Sequence, residues 1–261
     1  VPICEDIWGE EVVETLAETG AELLVSPNGS PFDWPKPDIR MNVVVARVTE
    51  NRLPLAYVNL VGGQDELVFD GASFVLNADC KLAVQLPAWR EAITLTHWTR
   101  ANGGWRCEHG EVAPIEGGVA AAYQAGMLGL RDYVDKNGFP GAVLGLSGGI
   151  DSALVAAICV DALGPGRVHA IMLASKFTSD DSLVDAAACA TALGLRYDKV
   201  SIEPAVAALN WSLKDLFEGL PPGITEENLQ SRVRGTILMA ISNKFGGMLV
   251  TTGNKSEMSV G

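Results

Sequence analysis

Gly145-Leu146-Ser147-Gly148-Gly149-Ile150-Asp151-Ser152 lies between an apolar run, Ala142 to Leu146, and a helix-forming run, Ser152 to Leu163. Strand, glycine turn and helix in that order place the turn at the carboxyl end of a parallel strand, where open α/β sheets bind anions. Gly148 and Gly149 let the backbone come close to a phosphate and accept positive φ. Exposed amides and the helix dipole then meet negative charge. Ser147 and Ser152 add hydroxyls. Asp151 alone would repel phosphate, and a metal ion bridging the two resolves the conflict. The pattern lacks the lysine of G-x-x-x-x-G-K-[ST] and the spacing of G-x-G-x-x-G. A ligand-free Gly-rich turn is the plainer alternative.

The flanks repeat the same alternation. From Gly117 a helix runs to about Val134, followed by strand 142–146, helix 152–163, strand 168–173, helix 180–193 and strand 196–201. Helical stretches at 203–218 and 225–244 lead to strand 248–251. Strand–helix alternation predicts a doubly wound parallel sheet with helices on both faces. The first half predicts helix 10–19, strand 23–25, a loop at 26–31, helix 39–49, strand 55–60 and a hairpin pairing 72–76 with 82–86. That is an α/β layer with some antiparallel strands. Residues 99–116 carry no sustained period, which predicts a domain at 1–98, a linker at 99–116 and a second domain at 117–261.

Composition narrows the function classes. The chain is 48% hydrophobic and 20% charged, which excludes a disordered protein. No uncharged stretch reaches the ~18–20 apolar residues that span a bilayer. With 19 basic against 32 acidic residues the net charge is −13, and an acidic chain lacks the field that draws a polyphosphate backbone. Nucleic acid and membrane are therefore not expected partners, and any phosphate is gripped locally. The five cysteines form no C-x-x-C pair, which favours reduced thiols in a cytoplasmic protein. His97, His109 and His169 lack metal-ligand spacing. Both ends read as cut through an element, so a longer polypeptide is expected.

S-G-G-x-D-S at 147–152 resembles the pyrophosphate loop of the ATP pyrophosphatases, enzymes that cleave ATP between its α and β phosphates and adenylate a substrate. Glu227-Asn228-Leu229-Gln230-Ser231-Arg232-Val233-Arg234-Gly235 and Thr252-Gly253-Asn254-Lys255-Ser256-Glu257 extend the likeness to the NAD synthetase family. The resemblance implies the adenine nucleotide alpha hydrolase-like fold for this half. It also implies ATP-dependent amidation of nicotinic acid adenine dinucleotide (deamido-NAD) to NAD. By that resemblance ATP is held at Gly145, Leu146, Ser147, Gly148, Gly149, Ile150, Asp151 and Ser152, and at Thr252. Deamido-NAD is contacted by Asn228 and Glu257, and magnesium by Asp151 and Glu257. Lys176-Phe177-Thr178-Ser179 corresponds to a basic and hydroxyl segment near the ATP phosphates. The family assembles through its synthetase domain, so a homo-oligomer is implied. For Arg232 and Arg234 a solvated helix face remains open.

Ile3-Cys4-Glu5-Asp6-Ile7-Trp8 and Leu24-Val25-Ser26-Pro27-Asn28-Gly29-Ser30-Pro31-Phe32 resemble the nitrilase-type amidases. These serve as glutaminase domains in glutamine-dependent NAD synthetases. Leu55 to Gln64 and Phe69 to Ser73 fit the same fused architecture. The resemblance implies part of a nitrilase-like α/β sandwich, with Cys4 as nucleophile and Ser30 and Lys36 contacting glutamine. The family's catalytic Glu and Lys come from segments upstream of the Cys, so residues 1–261 are expected to be a piece of the whole enzyme. Two alternatives stand beside this: another adenylating amidotransferase on the same loop, and a non-catalytic fragment.

Overall fold

Alternation along the early strands sets one face of the first sheet. The computed structural model describes residues 1–101, 103–221 and 223–260, with only the backbone of Ala101, Glu257, Met258 and Val260. It divides into two units, Val1–Tyr133 and Val134–Gly261. The first opens with α1 (Glu11–Glu18), β1 (Leu24–Asn28), α2 (Lys36–Asn51) and β2 (Leu55–Asn59). Leu24, Ser26 and Asn28 point inward from β1, as do Leu55, Tyr57 and Asn59 from β2. The two strands are parallel, with Leu24 opposite Leu55 and Asn28 opposite Asn59. That register sets two buried asparagines side by side at the strands' carboxyl ends.

β3 (Val61–Gln64) and β4 (Leu67–Asp70) form a separate antiparallel ribbon. β5 (Phe74–Leu76) and β6 (Leu82–Gln85) complete the main sheet in the order β1-β2-β5-β6, with β2, β5 and β6 antiparallel. Helices α1 and α2 cover one face, where Val13, Val44 and Val48 pack on Leu24, Leu55, Tyr57, Phe74 and Leu76. On the other face Val75, Ala83 and Val84 pack with Cys107. Cys107 belongs to a second ribbon, β7 (Trp98–Ala101) with β8 (Gly104–Cys107).

Neither ribbon follows from periodicity. Gly62-Gly63 reads as a strand end, yet it pairs with β4. The pairing works because the ribbon lies on Gly129 of α3 (Gly118–Lys136). A Cβ on Gly63 would stand 3.0 Å from the Gly129 Cα. The Gly63 N–H also donates to Asp132 at 2.8 Å. The β7–β8 ribbon occupies the stretch that reads as lacking a period, and its Cys107 amide is held by Asn77 at 2.8 Å.

Past α3 the alternation holds. The second unit runs β9 (Ala142–Gly145), α4 (Ile150–Leu163), β10 (Val168–Ala174), α5 (Asp180–Leu193) and β11 (Arg196–Ser201). It continues with α6 (Glu203–Leu213), α7 (Ile224–Phe245), β12 (Met248–Val250) and α8 (Lys255–Val260). Four parallel strands pair in the order β11-β10-β9-β12. β10 is apolar almost throughout, as a strand covered on both faces must be. Ser179 caps α5, and Gly194 ends it in the left-handed region at φ +66°. Helix α6 stops at Leu213, short of the expected 218, and α8 follows the Thr252 turn without a periodic signal. No described helix is long and apolar enough to cross a membrane.

Candidate active sites

In the second unit the strand order reverses at β9, with β10 on one side and β12 on the other. Loops leaving β9 and β12 at their carboxyl ends bound the crevice that such a reversal creates. The 145–152 loop occupies it. Its shape is self-made: the Ser147 N–H donates to Ser152 Oγ at 3.1 Å, Gly149 N–H to Ser147 Oγ at 3.3 Å, and Ser152 Oγ to the Gly149 carbonyl at 2.9 Å. Ser152 is thus buried and turned into the loop, while Ile150 and Asp151 are exposed. Leu146 is anchored through its amide to the Ile171 carbonyl at 2.9 Å. Gly149 precedes α4 without a capping side chain, which leaves the helix's first amides for a ligand.

Gly148 has φ +83°, and a Cβ there would lie 2.4 Å from the Ser182 carbonyl oxygen. The first turn of α5 therefore presses on the loop, and glycine is the residue that fits. The segment after β10 is folded by its own hydroxyls: the Ser175 N–H donates to Thr178 Oγ1 at 2.9 Å. Glu203, at the start of α6, accepts the Lys176 N–H at 2.7 Å, a latch the sequence did not signal.

Asn254 Nδ2 stands 3.5 Å from Asp151 Oδ2, so the turn carrying Thr252 reaches the glycine loop. Thr252 itself is half-buried. The backbone of Glu257 lies in α8, and its side chain is outside the described residues. Asn228 is exposed on α7, where its carbonyl accepts from Arg232 at 3.3 Å. Gly145 faces Leu238 of the same helix. Ten residues of helix, about 15 Å, separate that crossing from Asn228. The structure thus joins Asp151 to the β12 turn and leaves Asn228 apart from the loop. Among the described residues no three His, Cys, Asp or Glu cluster as a metal cage. A magnesium ion carried on substrate phosphates needs only one or two carboxylates, and the exposed Asp151 beside an amide fits that role.

In the first unit Cys4 opens a single 3-10 turn, Cys4–Ile7, with φ +50°. A non-glycine residue there is strained. Asp6 accepts the Ile3 N–H at 2.8 Å and pins the corner. Lys36, the first residue of α2, holds its ammonium 4.9 Å from the Trp8 ring centre, beside the same turn.

Ser30 is buried in a polar network that sequence patterns did not announce. Arg40 Nε donates to Ser30 Oγ at 3.0 Å, and Nη2 to the Ser30 and Pro31 carbonyls at 2.7 and 3.0 Å. Nη1 donates to both Asp70 carboxylate oxygens at 2.7 and 2.8 Å. Asn59 Oδ1 accepts the Ser30 N–H at 3.0 Å. Burial pushes the Tyr57 phenol above its ordinary value; the Ser30 hydroxyl and Arg40 pull it down, and Cys4 and Asp70 add to the rise. Tyr57 thus borders Ser30, whose hydroxyl hydrogen-bonds its phenol.

A cavity of about 800 Å³ lies on the other face of this sheet, against Ala56, Val75, Val84 and Ile93; Cys4, Ser30 and Lys36 do not line it. Burial raises the Cys159 thiol to about 11.

Residues 122–261 match the NAD synthase family, and residues 1–103 match the carbon-nitrogen hydrolase family. The glutamine-dependent NAD(+) synthetase of Rhodobacter capsulatus is 55% identical over 261 residues, covering 100% of this chain and 47% of that protein. The Acinetobacter baylyi protein of the same description is 41% identical over 261 residues, covering 100% of this chain and 48% of its own length. The chain spans about half the length of the curated relatives it matches. Among solved structures, the glutamine-dependent NAD+ synthetase from Acinetobacter baumannii in complex with ADP superposes with a TM-score of 0.93 at 42% identity. That match covers 99% of this chain and 49% of the other. The fold is thus a partial nitrilase-type region followed by the parallel sheet of the ATP pyrophosphatase type. With the NAD synthase match extending over more than half of its residues, the chain belongs to the NAD synthase family.

Proposed function

We propose that this chain is the central part of a glutamine-hydrolysing ligase that amidates deamido-NAD to NAD at the expense of ATP. The observation that carries this is the glycine loop at the β9 reversal, wedged by α5 and reached by the Asn254 turn. ATP use is further supported by the ADP held in the Acinetobacter baumannii protein. The α4 amides and Ser147 receive the phosphates, and Thr252 contacts the nucleotide. Asp151, with Glu257, would hold magnesium, which when bound neutralises charge developing on pyrophosphate. The nicotinate carboxylate of deamido-NAD attacks the α phosphorus, and pyrophosphate leaves. Ammonia then attacks the acyl carbon of the adenylate, and AMP leaves with NAD formed. Asn228 contacts deamido-NAD in this reading.

Ammonia comes from residues 1–98, with 99–116 as the connection to 117–261. The Cys4 sulfur attacks the glutamine carboxamide, ammonia leaves, and water releases glutamate from the thioester. Ser30 and Lys36 contact the glutamine. The whole protein is cytoplasmic and self-associates through its synthetase unit. Trp211, Leu216, Leu220 and Ile224, all strongly exposed, supply apolar surface for that contact. The test is NAD formation by the full-length protein from deamido-NAD and ATP, with glutamine and with ammonia. Formation with both donors supports the proposal, and formation with neither ends it.

A further inference from the structure

We propose that Glu203, which lies outside the glycine loop, is a positioning residue for ATP. It holds the 175–179 turn, and through that turn it seats the start of α5 against the glycine loop. The inference rests on the reading of residues 145–152 as the ATP site. β10 runs past the end of β9: Ile171 lies opposite Gly145, and Ala174 is three residues, about 10 Å, farther on. The turn after Ala174 leads directly into α5, whose Ser182 carbonyl lies against Gly148. The glycine loop is therefore bounded on that side by a short segment whose own position must be fixed.

Much of that fixing is internal. The Ser175 N–H donates to Thr178 Oγ1 at 2.9 Å, and the Thr178 N–H returns to the Ser175 carbonyl at 3.0 Å. The Ser182 N–H donates to Ser179 Oγ at 3.2 Å, which joins the turn to α5. Glu203 Oε1 accepts the Lys176 N–H at 2.7 Å and ties the turn to α6. A charged acceptor makes this one of the stronger kinds of hydrogen bond. Its base is rigid. β10 and β11 end level, with Ala174 opposite Ser201, and the Ile202 N–H donates to the Ala174 carbonyl at 3.0 Å. The Ile202 side chain is fully buried in the core beneath. The carboxylate meets the main chain of Lys176, while the Lys176 ammonium stands 4.9 Å from the Phe177 ring centre. Glu203 thus acts on the shape of the turn.

The experiment uses the full-length enzyme with ammonia as donor and measures kcat and the KM values for ATP and deamido-NAD. The variants are Glu203→Ala, Glu203→Gln, Thr178→Val and the Glu203→Ala/Thr178→Val pair, with glutamine hydrolysis as a control on the first unit. Glu203→Ala is expected to raise KM for ATP about fivefold to tenfold, with a smaller fall in kcat. KM for deamido-NAD and glutamine hydrolysis should stay unchanged. Glu203→Gln keeps an oxygen that accepts the Lys176 N–H and should restore KM for ATP. Thr178→Val should raise KM for ATP as well, and the pair should be no worse than the worse single variant, because both loosen one turn. An unchanged KM for ATP in Glu203→Ala overturns the latch. So does a lowered one, the result expected of a carboxylate that acts only by repelling phosphate. Equal rises in both KM values, a Gln variant as impaired as the Ala variant, or additive effects in the pair also overturn it. If Glu203→Ala does not fold, Thr178→Val, which leaves α6 intact, carries the test, and a wild-type KM for ATP there overturns the latch. No NAD from the wild-type enzyme ends the reading of the ATP site and the latch with it; wild-type synthesis with KM unmoved in the variants overturns the latch alone.

Discussion

Asp151 is exposed in the first turn of α4, beside the Asn254 amide. Replacing it with Asn keeps size and removes charge. Asp151→Asn should abolish NAD formation with either nitrogen donor. If Asp151 holds magnesium as proposed, its loss costs several kcal/mol of transition-state stabilisation, about a thousandfold or more. Near-wild-type synthesis from ammonia would refute the metal role. Cys4→Ala separates the two chemistries: glutamine-dependent synthesis should vanish and ammonia-dependent synthesis persist. If both fall while the circular dichroism and melting point stay normal, Cys4 is not confined to glutamine hydrolysis. At this scale the sequence singled out Asp151, Cys4 and Ser30 as candidates because each sits in a local motif. It hid Arg40 and Asp70, whose partnership spans 30 residues and arises only when α2 and β4 meet. It also hid that Ser152 turns inward, since which hydroxyl faces the ligand depends on loop hydrogen bonds.

Among elements, the β9 loop and the first turn of α5 form one packed piece. Gly148→Ala would put a methyl 2.4 Å from the Ser182 oxygen at a φ of +83°. The loop must shift, and the left-handed conformation itself costs about 1 kcal/mol for a side chain. The expected result is a KM for ATP raised at least about tenfold, with glutaminase turnover unaltered. An unchanged KM for ATP would show that the loop does not grip the nucleotide. Strands β9 and β10 were readable because full burial demands continuous apolar runs between helices, while the polar edge strand β11 followed from the strand–helix alternation. The two ribbons were not. Gly62-Gly63 has no side chains to show alternation, and its pairing depends on Gly129 lying opposite. The β7–β8 ribbon carried one readable sign, the Asn102-Gly103 turn dipeptide between Trp98 and Trp105. The short strands around it obscured the period.

The molecule divides into two α/β units, whose proposed sites share only ammonia in the proposed reaction. Residues 1–261 expressed alone should release no ammonia from glutamine, because on the nitrilase-type reading the catalytic Glu and Lys lie upstream of Cys4. Loss of one charged oxyanion partner alone costs about 10²–10³ in rate. The fully exposed Ile93 and the exposed Leu95 should also make that piece aggregate. Turnover by the piece equal to that of the full-length enzyme would remove the nitrilase-type reading of Cys4. The adenylate itself is tested most directly with isotope. The full-length enzyme is given ATP, ammonia and deamido-NAD labelled with oxygen-18 in the nicotinate carboxylate, and the products are weighed by mass spectrometry. Attack on the α phosphorus predicts one oxygen-18 atom in AMP and unlabelled pyrophosphate. Unlabelled AMP, or label appearing in inorganic phosphate beside ADP, would contradict adenylation at the 145–152 loop.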